Sequence, residues 1–186
     1  RGALDRLERV AGVHLLGAFE HEFQLKGTPR IRNQGYGREA FELQRRLSET
    51  LMAALQDAGM EPDSFMKEFG PNQYEVVIGP DQGLRAADAA VLLRELTRSA
   101  ARALGEEATF TPIRDVASVG NGVHIHMSFL NDDGSPATYD ENGACGMSAL
   151  TNAFSAGVLK YLENIVALTA PSAISYERLT PHRWSA

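Results

Sequence analysis

Val123-His124-Ile125-His126-Met127-Ser128-Phe129-Leu130, followed by Asn131-Asp132-Asp133-Gly134, is the stretch on which the fold turns. Polar and apolar residues alternate through it, the period-2 signature of a strand, and the four residues after it are strong turn formers. A hairpin-like turn of this kind points to strands that run in opposite directions. Working outward, Val13 to Leu25 is apolar and aromatic up to Gly27-Thr28-Pro29 and predicts another strand. Phe65 to Phe69 and Gln73 to Ile78 read as two short strands split by Gly70-Pro71-Asn72, and Thr109 to Thr111 as one more. Between them lie helical stripes. Leu43, Leu47, Leu51, Ala54, Leu55 and Ala58 recur at steps of three and four within Ala40 to Ala58, with Gly59 as a cap. Leu84 to Leu104 repeats the pattern, and Met147 to Leu168 predicts a third long helix ahead of Pro171. No crossover unit repeats, so the expectation is an α+β domain: a mainly antiparallel sheet with long helices packed against it.

Composition narrows the function classes. The chain has 186 residues, 44% of them hydrophobic, and 18 basic against 24 acidic side chains. That is enough apolar material for a core, without the low hydrophobicity and high net charge of a disordered chain. No run approaches the roughly 18 apolar residues of a membrane span. The net charge of −6 and the lack of a Lys/Arg cluster give no footprint for nucleic acid. Cys145 is the single cysteine, so no internal disulfide forms and a cytoplasmic location is expected. The chain opens at Arg1 with neither an initiator Met nor a charged-then-apolar leader, and it reads as a piece of a longer protein.

Glu20-His21-Glu22 lies inside the first apolar strand, where alternation puts Glu20 and Glu22 on one face about 7 Å apart. Two carboxylates there are solvated on an edge strand, matched to cations, or bound to a metal. His124 and His126 repeat the spacing with imidazoles, just after Gly120 and Gly122. Glu68 and Glu75 flank Gly70-Pro71-Asn72, and a chain reversal there would bring them back toward one site. Four carboxylates and a histidine on neighbouring strands would make an oxygen-rich cage of the kind Mg²⁺ or Mn²⁺ prefers, and zinc less so. No Gly-x-x-x-x-Gly-Lys-Ser/Thr loop is present, so metal ions would have to neutralise any bound ATP phosphates.

The order of these segments resembles the glutamine synthetase catalytic domain. It runs from Glu20-x-Glu22 through Glu68 to Glu75 and Ala108-Thr109-Phe110-Thr111-Pro112. It continues through Gly120-Asn121-Gly122-Val123-His124-Ile125-His126-Met127-Ser128 and closes on Ala170-Pro171-Ser172-Ala173-Ile174-Ser175-Tyr176-Glu177-Arg178-Leu179. The resemblance implies a ligase that uses ATP to phosphorylate the γ-carboxylate of glutamate, after which ammonia or an amine attacks. It implies two or more Mg²⁺ or Mn²⁺ ions per site, with Glu22, Glu68 and Glu75 as ligands of the first and Glu20 and His124 of the second. His126 and Ser128 match positions beside the nucleotide. Gly120 matches a backbone contact to glutamate, and Arg178 the arginine that holds its carboxylate through a planar fork. Tyr36, in Gln34-Gly35-Tyr36-Gly37, corresponds to a tyrosine at the ammonium pocket.

Residues 1–186 would then be the central part of one catalytic domain, preceded by a small N-terminal domain and followed by the rest of the site. The fragment alone would be inactive and the intact protein a homo-oligomer. Two departures stand out: Val119 replaces an asparagine that contacts substrate, and Pro112-Ile113-Arg114 replaces Pro-Lys-Pro. They open the choice of amine or glutamate analogue. The alternatives are a member that kept the fold as an inactive scaffold or regulator, and a phosphotransferase of guanidino-kinase architecture.

Overall fold

A computed structural model describes residues 1–27 and 35–181. The elements in order are α1 (Gly2–Ala11), β1 (His14–Lys26), α2 (Arg38–Glu42), α3 (Arg45–Asp57), β2 (Pro62–Lys67) and β3 (Gln73–Ile78). They continue with β4 (Asp81–Gln82), α4 (Leu84–Ala103), β5 (Glu107–Thr109), β6 (Val123–Leu130), α5 (Ala149–Lys160), α6 (Leu162–Thr169) and α7 (Ala173–Arg178). The strands form an antiparallel sheet ordered β2-β3-β1-β4, with β5 and β6 also pairing β1. The expected α+β class therefore holds. β1 is an internal strand with partners on both sides, which removes the edge-strand reading of Glu20 and Glu22.

The chain divides into two compact units. The first comprises Arg1–Gly17, Pro80–Ala87 and His126–Pro171. Here Leu16 and Gly17 pair with Gln82 and Asp81, and Phe129 meets Phe154 edge-on with ring centres 5.0 Å apart. The predicted turn closes after β6: Gly134, at φ 79°, donates its N–H to the Asn131 carbonyl. Ser148 caps α5 by accepting the Thr151 N–H.

The second unit comprises Ala18–Gly79, Asp88–Ile125 and Ser172–Ala186 and holds the main core. Alternation along β1 and β3 sends Phe23, Leu25, Tyr74, Val76 and Ile78 to one sheet face. Leu47, Leu51 and Leu55 of α3 and Leu93 of α4 cover that face and are fully buried. Each such leucine contributes about 1.5–3 kcal/mol by leaving water. His21 also lies on this face, between Phe19 and Phe110, and burial with the charge of Arg94 pushes its pKa down to about 4. It is a neutral core residue.

Two expected helices are broken. Ala40 to Ala58 splits into α2 and α3 because Gln44, at φ −115° and ψ 19°, leaves helical geometry. Its buried amide donates to Glu106 at 3.0 Å, and Leu43 beside it is 61% exposed rather than part of the buried stripe. Met147 to Leu168 splits at Tyr161, which ends α5 and begins α6 at φ −107° and ψ 16°. The apolar period continues across both breaks, so periodicity does not register them. The strand expected at Phe65 to Phe69 begins earlier, at Pro62, and that at Thr109 to Thr111 is Glu107–Thr109. Helices α1 and α7 were not anticipated. Thr28, Pro29 and Gln34 lie outside the described residues. Among the described residues no helix is long and apolar enough to cross a membrane.

Candidate metal centre

Register builds the polar face of the sheet. Glu22 stands opposite Glu75, and Met66 of β2 stands opposite Glu75 on its other side. Gly70-Pro71-Asn72 does reverse the chain: Asn72 sits at φ 51°, the Gln73 N–H bonds the Gly70 carbonyl, and the Glu68 N–H bonds the Gln73 carbonyl. With a side-chain period of two, Glu20, Glu22, Glu68, Gln73 and Glu75 all share the face opposite the core. Glu22, Glu68 and Glu75 are nevertheless buried.

One ligand atom each from Glu20, Glu75 and His124 lies within 4.8 Å of the other two. His124 Nδ1 is 2.9 Å from Glu20 Oε2. Burial, then the charges of Glu20, Glu68 and Glu22, push the Glu75 carboxyl up from 4.5 to about 7, against a smaller opposing pull from His124. Burial and Glu22 also raise Glu68. Carboxylates crowded out of water without a full complement of cations suit a divalent ion, and oxygen donors with one imidazole fit Mg²⁺ or Mn²⁺. Cys145 is exposed in a short turn of the other unit.

Around the trio the remaining expected residues are placed as follows. Glu22 Oε2 accepts from Gln73 Nε2 at 2.9 Å and from the Gly122 N–H at 2.8 Å. Arg178, at the end of α7, folds over Gly120: a Cβ there would stand 2.5 Å from the Pro112 carbonyl oxygen and 2.6 Å from Arg178 Cγ. Tyr36 is 61% exposed at φ 60°, and its hydroxyl bonds Glu68. Burial first, then Glu68 and Glu75, raise the Tyr36 pKa. The structure therefore brings Glu20, Glu22, Glu68, Glu75, His124, Gly120, Arg178 and Tyr36 into one unit. Within it, the close trio joins Glu75 to Glu20 and His124, with Glu22 and Glu68 outside it. His126 and Ser128 follow His124 on the same face of β6 but belong to the other unit.

Sequence reasoning passed over Gln73 as a site residue. Gln73 is fully buried, and the two N–H groups of its Nε2 lie within reach of Glu22, Gly120 and, at the longest distance, Asn121. The available signal was its spacing of two from Glu75, which puts a carboxamide on the carboxylate face.

An antiparallel sheet bearing acidic side chains and a histidine on one face, with helices on the other, is the glutamine synthetase type of catalytic domain. The family model for that domain matches residues 3–186, and the chain belongs to this family. Type-1 glutamine synthetase 1 of Dictyostelium discoideum is 32% identical over 199 residues, covering 98% of this chain and 40% of the relative. The gamma-glutamylpolyamine synthetase GlnA3 of Streptomyces coelicolor is 38% identical over 135 residues, covering 73% of this chain and 29% of its own length. A solved structure of a novel glutamine synthase homolog matches the whole chain and 43% of its own, with TM-score 0.92 and 42% identity. This chain thus spans about two fifths of the length of the Dictyostelium relative.

Proposed function

We propose that the intact protein is an ATP-dependent carboxylate–amine ligase. It transfers the terminal phosphoryl group of ATP to the γ-carboxylate of glutamate or a glutamate analogue, releasing ADP. Ammonia or an amine then attacks the acyl carbon, an amide bond forms and phosphate leaves. The observation that carries this reading is the Glu20, Glu75 and His124 trio within 4.8 Å, among further buried carboxylates on the same face. Glu22, Glu68 and Glu75 would hold one Mg²⁺ or Mn²⁺ ion and Glu20 and His124 another. Bound there, the ions would neutralise phosphate charge and orient the reacting oxygens.

The chain's own residues do the rest. Gly120 supplies the backbone contact to the amino acid, and Arg178, for which the missing Cβ of Gly120 leaves room, pairs with a carboxylate through its planar fork. His126 and Ser128 serve the nucleotide. Tyr36 and Glu68 form a hydrogen-bonded acidic pair suited to a cationic ammonium or amine. Val119, in place of a polar contact, and the likeness to a gamma-glutamylpolyamine synthetase favour an amine acceptor. Assembly as a homo-oligomer and a cytoplasmic location belong to the same proposal.

The test is phosphate release by the intact protein with Mg²⁺ or Mn²⁺, ATP and glutamate, across ammonia, monoamines and polyamines. Release should require the metal, the amino acid and at least one acceptor together. A panel in which no acceptor stimulates release refutes the reading.

A further inference from the structure

We infer that Gln73 is a positioning residue of this site: its carboxamide selects which oxygen of Glu22 faces the cation and ties that oxygen to the backbone that receives the substrate. The inference rests on the ligase reading above and deepens it. Gln73 Nε2 lies 2.9 Å from Glu22 Oε2, 2.8 Å from the Gly120 carbonyl oxygen and 3.1 Å from Asn121 Oδ1. Its Oε1 accepts the Gly70 N–H at 2.7 Å.

That last bond orients the group. A flipped amide would turn its oxygen toward three acceptors and its NH₂ toward a donor, losing every interaction. The turn is shaped to allow it, because a Cβ on Gly70 would run into Gln73 Oε1.

The consequence falls on Glu22. Its Oε2 receives both Gln73 Nε2 and the Gly122 N–H at 2.8 Å, and two donors occupy that oxygen's two lone pairs. Oε1 is then the oxygen left to ligate. The same nitrogen holds the Gly120 carbonyl, so a displaced amide moves a cation ligand and the substrate backbone together. Groups that orient a ligating carboxylate are worth about 10–100-fold in metal affinity or activity. Gln24 supplies the control. It is the β-sheet partner of Gln73, equally buried on the same face, yet its Oε1 has no hydrogen-bond partner.

The experiment titrates the chelator-treated intact protein with Mn²⁺, following free Mn²⁺ by its paramagnetic resonance signal, alongside KM for glutamate and kcat. Gln73→Met keeps the side-chain length and deletes the hydrogen bonds. It should weaken Mn²⁺ binding by about 10–100-fold and raise KM for glutamate, while Gln24→Met leaves both near wild type. A folded Gln73→Met protein with wild-type Mn²⁺ affinity overturns the inference and leaves the ligase reading standing. If Gln73→Met does not fold, Gly70→Ala decides, since it pushes the amide aside without removing it: weakened Mn²⁺ binding supports the inference and unchanged binding overturns it. Wild-type protein that binds no Mn²⁺ overturns the ligase reading and this inference with it.

Discussion

Replacing Glu75 by Gln should stabilise the metal-free protein in alkaline solution and not in acid. Burial and three like-charged neighbours hold the Glu75 carboxyl near 7 instead of 4.5. Below pH about 4.5 it is protonated in folded and unfolded chains alike and contributes nothing. Between 4.5 and 7 the folded protein keeps a proton that the unfolded chain has released, so stability falls as pH rises. Above 7 the penalty is at full size, about 3 kcal/mol at 1.36 kcal/mol per pH decade. Gln has nearly the same shape and is neutral throughout. At about 2–4 °C per kcal/mol for a domain of this size, chelator-treated Glu75→Gln should melt roughly 6–12 °C above wild type at pH 8.5. The two should melt together near pH 4.5. Adding Mg²⁺ at pH 8.5 should raise the wild type by more than the variant, because a cation near Glu75 relieves the same repulsion that the substitution removes. An offset in Tm that is equal at both pH values would refute the reasoning.

Three further outcomes follow from named contacts. Glu22→Gln can still accept from Gln73 and Gly122 through its amide oxygen, so its Tm should stay near wild type. Losing the ligand charge should cost several kcal/mol of transition-state stabilisation and abolish stimulated phosphate release; wild-type turnover would remove Glu22 from the mechanism. Gly120→Ala places a methyl 2.5 Å from the Pro112 carbonyl oxygen and 2.6 Å from Arg178 Cγ, forcing the arginine aside. A misplacement near 1 Å costs up to about 100-fold, read here as a raised KM for glutamate. An unchanged KM would separate Arg178 from substrate binding. Leu51→Ala, at a fully buried position in the core, should lower stability by about 2–5 kcal/mol in urea unfolding; a loss below 1 would mean the core collapses around the gap.

Local pattern accounts for much of what the sequence predicted. The bounds of β6 are those its alternation predicts, and β1 and β3 agree closely, since a period of two needs only neighbouring residues to be visible. The shared face of Glu20 and Glu22 was likewise legible from their spacing of two. The breaks at Gln44 and Tyr161 were not, because the hydrophobic period continues across both; at Gln44 the side chain turns to a hydrogen bond with Glu106, 62 residues away.

By itself the amino-acid order determined that strands and helices alternate unevenly, that one sheet face is acidic, and that the family is the glutamine synthetase one. Tertiary structure alone decided which acidic groups meet. A slip of one residue between β1 and β3 would carry Glu75 to the core side and leave Glu22 facing a hydrophobic neighbour. Pairing register, the Asn72 turn and the amide of Gln73 are set by contacts across the sheet, and so the 4.8 Å trio of Glu20, Glu75 and His124 exists only in the folded chain.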